Sequence, residues 1–137
     1  MKYDDAEYYF LNFETDALPN EAGATHIGMF MAWMMLHDLV SEDLEEAIDE
    51  VKSRQVTGRE IVVDASDCKL LSDDLSEEGN AFAAWYYEDK YIGDYCRVFE
   101  ISGDSADALC SVEDTWDNFD KLAPVLDQRF AEWQAQA

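Results

Sequence analysis

This chain is short of basic side chains. Nine lysines and arginines stand against 32 aspartates and glutamates in 137 residues, a formal charge of −23 at pH 7. The shortage excludes nucleic acid as a direct ligand, because phosphates would be repelled rather than neutralised. It also exceeds what solubility requires of a small domain, and the self-repulsion opposes compaction. A folded polyanion attracts cationic surfaces, so the first candidate partners are a basic protein or cations.

Cysteine is scarce as well. Cys68, Cys96 and Cys110 are too few and too irregularly placed for a disulfide framework or a Cys-x-x-Cys metal site, and they read as buried reduced thiols. Long apolar runs are missing. The longest, Ile27 to Leu36, is about half of what a membrane span needs, so it reads as a core helix. The start, Met1-Lys2-Tyr3-Asp4-Asp5, lacks the basic and apolar regions of a secretion signal, and the expected compartment is the cytoplasm. Glycine-rich phosphate loops, EF-hand spacing of acids around a central glycine, and local Ser-His-Asp or Cys-His arrangements are absent too. No catalytic residue, metal site or cofactor is therefore expected, and the chain reads as a non-enzyme.

What is present argues for a fold. The chain is 48% hydrophobic and 13% aromatic, with four Trp, seven Tyr and seven Phe spread from Tyr3 to Trp133. Acidic disordered segments are poor in aromatics, so this composition predicts a core. At this length the expectation is one domain, residues 1–137, burying roughly two thirds of its unfolded surface.

The spacing of apolar residues predicts mainly helix. Residues 1–21 read as an extended or irregular arm, closed by a turn at Leu18-Pro19-Asn20. From Thr25 to about Leu39 all faces are apolar, which marks the central helix. Gly28 inside it costs about 1 kcal/mol relative to Ala and points to a close backbone neighbour, or else to a helix start near Met29. Ser41 can cap a helix to about Arg54, with Leu44, Ala47, Ile48 and Val51 inward. Thr57-Gly58-Arg59-Glu60 has capping-box spacing. The following Ile61-Val62-Val63 suits helix or strand, and the cap favours helix. Ser76 opens a helical stripe through Phe82, Trp85 and Tyr86 that continues as Tyr87, Tyr91 and Tyr95, broken around Asp89 or Gly93. Ser111 caps the last helical region, which Pro124 restarts or kinks. The expected fold class is mainly all-α, a compact bundle of five to seven helices.

Carboxylates are so numerous that pairs at any spacing arise by chance, and a solvated acidic face explains most of them. His26 and His37 lie about three helical turns apart, too far to share a metal, and read as core or capping residues. The acidity is uneven, however. Residues 1–51 hold thirteen acids and one base, Lys2, so a field of one sign must extend from that half. Such a field speeds encounter with a basic protein toward ~10^8–10^9 M^-1 s^-1 at low salt, while aromatic anchors hold the complex. Tyr8, Tyr9, Tyr86 and Tyr87 are candidate anchors, although stripes of this kind more often belong to the core.

Several segments carry a resemblance. Tyr3-Asp4-Asp5-Ala6, Gly23-Ala24-Thr25-His26-Ile27-Gly28-Met29-Phe30 with Ala32-Trp33, Thr57-Gly58-Arg59-Glu60, Asp74-Leu75 with Glu78-Gly79-Asn80-Ala81-Phe82, and Val112 to Trp116 stand in this order. Together they resemble a family of small acidic bacterial proteins whose members look like immunity proteins encoded beside toxins of interbacterial competition. The chain departs from that pattern at Asp67-Cys68-Lys69-Leu70, where an Asp-Gly-Lys-Leu turn is expected.

The resemblance implies a partner protein, a cognate effector toxin with a basic surface. Glu42, Asp43, Glu45, Glu46, Asp49 and Glu50 form one expected contact patch, and Asp73, Asp74, Glu77 and Glu78 a second. Two alternatives stay open: a DNA mimic that inhibits a nucleic-acid-binding protein, with carboxylates along a ridge at phosphate spacing, and a small enzyme with a carboxylate and histidine site beside His26.

Overall fold

A helix that is apolar on every side can only sit in the middle, and that is where Thr25–Leu36 (α2) lies. Every residue from Thr25 to Met35 is buried in the computed structural model, which describes residues 1–136. The other elements wrap α2 in chain order. Lys2–Asp5 (β1) and Ala6–Phe10 (α1) precede it, and Ile48–Lys52 (α3) and Gly58–Ala65 (α4) follow. Next come Lys69–Leu71 (β2), Glu77–Tyr86 (α5), Ile92–Phe99 (α6), Ala106–Leu109 (α7) and the long Trp116–Ala135 (α8). The fold is mainly α, with one two-stranded sheet among the described residues.

Gly28 has the close neighbour that its position predicts. A Cβ on Gly58 would lie 1.8 Å from the Gly28 carbonyl oxygen, and one on Gly28 would lie 2.2 Å from the Arg59 amide nitrogen. Two glycines thus let α2 and α4 touch backbone to backbone. The helix α4 starts where the cap predicts, with the Glu60 amide donating to Thr57 Oγ1 at 3.3 Å, and Ile61, Val62 and Val63 are helical. On the opposite side Phe30 meets Phe82, Tyr86, Tyr87 and Tyr91, while Trp33 packs on Phe82 and Phe130.

Four expectations change. The N-terminal arm is regular only as far as Phe10, with turns and coil over residues 11–19: β1 is extended and pairs antiparallel with β2, Asp4 opposite Leu70 and Asp5 opposite Lys69, and Asp5 caps α1. Residues 42–47 form a 3-10 turn before α3, and the Ser41 side chain makes no capping bond. The break predicted around Asp89 is a π-helical turn, Tyr87–Tyr91, which keeps α5 and α6 in one rod and turns Tyr87, Tyr91 and Tyr95 inward. Thr115, not Ser111, caps α8 through the Asn118 amide, and Pro124 lies inside that helix without ending it. Ser111 donates instead to the Ala108 carbonyl at the end of α7.

The departure at Cys68 is visible in the backbone. Asp67 and Cys68 have φ of 52° and 63°, and the Lys69 amide closes the turn onto the Ser66 carbonyl at 3.0 Å. Two successive left-handed residues make a primed turn, which favours glycine. The three thiols are free: Cys110 is buried, while Cys68 and Cys96 are half-buried.

Candidate functional site: an acidic face

The two acidic segments of the sequence meet in space. Val40 and Leu75 form an antiparallel bridge, the Ser41 amide donates to the Asp74 carbonyl and the Ser76 amide to the Leu39 carbonyl, each at 2.9 Å. The bridge sets the start of the 42–50 segment beside the 73–78 segment. Leu44, Ile48 and Val51 point into the core, which leaves Glu42, Asp43, Glu45, Glu46, Asp49 and Glu50 exposed. Asp73, Glu77 and Glu78 are exposed beside them, the last two in the first turn of α5, where the helix dipole favours acids.

Asp74 has a different position from the other nine. Its carboxylate accepts from the Leu71 amide at 2.9 Å and from Ser66 Oγ at 3.1 Å, so it ties α4 to β2 rather than facing solvent. Burial pushes its carboxyl above the ordinary value; the two hydrogen bonds oppose this, and the charges of Asp73 and Asp43 add to it.

Most of the bases are engaged elsewhere. Lys2 pairs with Asp5, Arg54 with Asp120, Arg59 with Asp114, Lys69 with Asp67, and both Arg97 and Arg129 with Asp94. Lys90 lies over the Trp85 ring. Among the described residues, none of the ten predicted contact carboxylates pairs with a cationic side chain. Residues 3–51 and 70–89 hold no lysine or arginine at all. Lys52 and Lys121 are exposed and have no carboxylate partner among the described residues, and Lys52 ends α3 two residues after Glu50, so the face is acidic with a single base at its edge.

Sequence reasoning missed a buried polar node around Asp4. Asp4 Oδ2 accepts from Tyr87 Oη at 2.6 Å, His26 Nε2 at 3.1 Å and Tyr9 Oη at 3.2 Å, and Oδ1 accepts from the Asp5 amide at 2.8 Å. Burial alone would raise the Asp4 carboxyl, but the hydrogen bond and charge of His26, with Tyr87 and the Asp5 amide, bring it below the ordinary value. The same site pushes the Cys110 thiol up to about 12 through burial and the charges of Asp4 and Asp107. Such a thiol is not a nucleophile at neutral pH.

A carboxylate and histidine site beside His26, the enzyme alternative, would need a deep polar cleft there and a carboxyl shifted upward. His26 is instead 1% exposed, with Tyr9 and Tyr95 packed on its ring, and its carboxylate neighbour is shifted downward. Asp4 is an internal acceptor that joins β1, α1, α2 and the π-helical turn. Tyr86 and Tyr87 belong to the interior as well; Tyr86 donates to Asp94, and neither reaches the surface as an anchor. No three His, Cys, Asp or Glu side chains converge as a metal site among the described residues, and no helix there is long and apolar enough to cross a membrane.

A family model, described as a domain of unknown function (DUF7832), matches residues 2–108. The chain belongs to the DUF7832 family. The matched span runs from β1 to α7, so it contains the acidic face, the Gly28·Gly58 crossing and the Asp4 node, while α8 follows it. No curated protein and no solved structure matches the chain. In this DUF7832 protein α8 is bound to the matched part through polar side chains: Arg129 to Asp94, Trp33 Nε1 to Asp127 at 2.9 Å, and Arg54 to Asp120.

Proposed function

We propose that this DUF7832 protein is an immunity protein that binds and neutralises a basic effector toxin, with its acidic face as the steering and contact surface. One observation carries the reading: two acidic segments, far apart in sequence, are joined by the Val40·Leu75 bridge into a surface without an ion-pair partner of its own. A surface balanced by salt bridges would have little to offer a charged partner, whereas this one keeps its field. The mode of action is occlusion. A basic toxin surface covered by carboxylates cannot meet its substrate, and the inhibitor's residues act by position rather than by chemistry.

The test is co-purification of the tagged chain with the product of the adjacent gene, followed by binding measurements at low and high salt. One tight partner, whose toxicity is blocked and whose on-rate falls steeply with salt, is the expected result. Charge reversal at Glu45, Glu46 and Asp49 is expected to slow association. Recovery of many unrelated basic proteins would replace the reading with a DNA mimic. Unchanged affinity after reversal would remove this face from the interface.

A further inference from the structure

The chain covers its large apolar side chains with three exceptions. Among the described residues, the exposed ones are Met1, Tyr8 at 71% and Leu11 at 69%. Tyr8 and Leu11 lie three residues apart at the end of α1, so they share a side of that helix. Tyr8 also lines an open groove of about 210 Å³ between α1 and the 103–109 segment. Tyr9 and Asn12 complete the α1 wall, and Asp104, Ser105 and Leu109 form part of the other.

The groove is held rigidly from behind. Tyr9 packs edge-on against His26, 4.6 Å between ring centroids, and its hydroxyl donates to Asp4. Asp107 accepts from the Glu14 and Thr15 amides at 2.9 and 3.1 Å, which pins the chain after α1 to α7. The Asn12 side chain donates to the Tyr8 carbonyl and closes the end of the helix. The rim has one sign. Glu7, Glu14 and Asp104 are exposed near it, and neither contributing segment has a base, since residues 3–51 and 98–120 contain no lysine or arginine.

An exposed aromatic wall under an acidic rim is complementary to one kind of side chain, a cation on an apolar stem. Arginine or lysine can lay its methylenes along the groove wall at Tyr8, with Leu11 exposed beside it just outside the groove, hold its charge over the Tyr8 ring and reach the carboxylates. The volume is below the roughly 300–1,000 Å³ of small-molecule sites, so it suits a side chain of a macromolecular partner. We propose that the groove between α1 and the 103–109 segment is the anchor pocket for an arginine- or lysine-bearing segment of a basic protein partner, with the 42–50 and 73–78 face supplying the long-range field. The proposal rests on the reading that the partner is a basic protein, and it adds the place where that partner is held.

The test uses the full chain and a defined probe, the peptide acetyl-Arg-Leu-Arg-Leu-Arg-amide, followed by amide chemical shifts of the labelled protein, with the all-Glu analogue as control. Saturable shifts confined to residues 7–12 and 103–109 are expected, with no binding of the Glu peptide. The double variant Tyr8→Ala/Leu11→Ala is expected to weaken the Arg peptide about tenfold or more, as loss of an aromatic anchor does. Glu45→Gln/Glu46→Gln is expected to change it less than about threefold, the size of a screened surface charge effect. Both variants alter exposed side chains and are expected to retain the thermal transition. Shifts spread over the whole acidic surface, or affinity indifferent to the Tyr8 and Leu11 changes, would overturn the pocket. Self-association of the wild type that the double variant abolishes would assign the groove to a second copy and overturn it too. The two readings fail separately: a toxin bound equally well by the double variant removes the pocket and keeps the immunity reading, whereas peptide binding without any toxin partner does the reverse.

Discussion

The same functional group has opposite roles in the interior and on the acidic face. Asp94, 2% exposed, accepts from Tyr86 Oη at 2.7 Å, from Arg129 Nε and Nη2 at 2.9 and 3.1 Å, and from Arg97. Asp4 is surrounded as fully by Tyr87, Tyr9, His26 and the Asp5 amide. The exposed carboxylates from Glu42 to Glu50 have no donor within the chain among the described residues. A buried carboxylate persists only when donors replace its hydration, and in this chain the scarce bases and the tyrosine hydroxyls provide them. The molecule therefore separates its acids by partner: those with donors build the fold, and those without remain available to another protein. Both buried carboxyls titrate below their ordinary value, in spite of burial, because of those donors.

The largest effects should come from breaking the interior half of this comparison. Asp94→Ala strands two arginines and the Tyr86 hydroxyl, and is expected to lower stability in urea by about 3–5 kcal/mol. Asp4→Ala leaves Tyr87, Tyr9 and His26 without their acceptor and should cost about 3 kcal/mol. A loss under about 1 kcal/mol in either variant would mean that water replaces the carboxylate and that the node is not structural. The pH dependence follows from the same shifts. A carboxyl whose folded pKa is depressed stabilises the fold fully above its unfolded pKa of roughly 4, and that stabilisation disappears as pH falls through the folded value. The urea midpoint should therefore drop steeply below about pH 4, and Asp94→Asn should flatten the drop.

A smaller effect lies in the turn that presents β2 to Asp4. Cys68 holds φ of 63° one residue before Lys69, and Leu70 pairs with Asp4. Replacing a non-glycine residue that has positive φ by glycine removes strain of about 1 kcal/mol, partly offset by the freer unfolded chain. Cys68→Gly is thus expected to raise stability by about 0.5 kcal/mol, read as a small upward shift of the thermal midpoint. A loss of stability would show that the half-buried thiol packs well enough to outweigh the backbone.

That turn also shows what could be read in advance. The departure from the Asp-Gly-Lys-Leu pattern marked Cys68, because the demand for positive φ is local. The central helix was legible for a similar reason, since eleven consecutive buried residues leave an apolar signal on every face, and Gly28 within it announced a close neighbour. The Thr57 cap decided the ambiguous Ile61-Val62-Val63. Strands of four and three residues gave no such signal: Lys2-Tyr3-Asp4-Asp5 is polar, and its partner lies more than sixty residues away. The Asp4 node was illegible because Tyr87 is 83 residues from it and His26 is 22. The acids of the face were identifiable as exposed, but their union across Val40 and Leu75 is a property of the tertiary structure alone.

The smallest expected change in stability comes from the exposed half, and its small size is what sharpens the comparison. In Glu45→Lys/Glu46→Lys/Asp49→Lys no hydrogen bond is lost, because none of the three side chains has a partner among the described residues. Surface substitutions of this kind stay within about 0.5 kcal/mol. Here the sign should be favourable, because the changes reduce self-repulsion in a chain of charge −23. Salt gives the decisive readout. Raising ionic strength from about 0.05 to 0.5 M shortens the screening length several-fold, so it should raise the wild-type midpoint and raise that of the triple variant by less. If the variant instead unfolds more easily and responds to salt as the wild type does, these carboxylates hold the fold after all, and the division between structural and available acids fails at its weaker end.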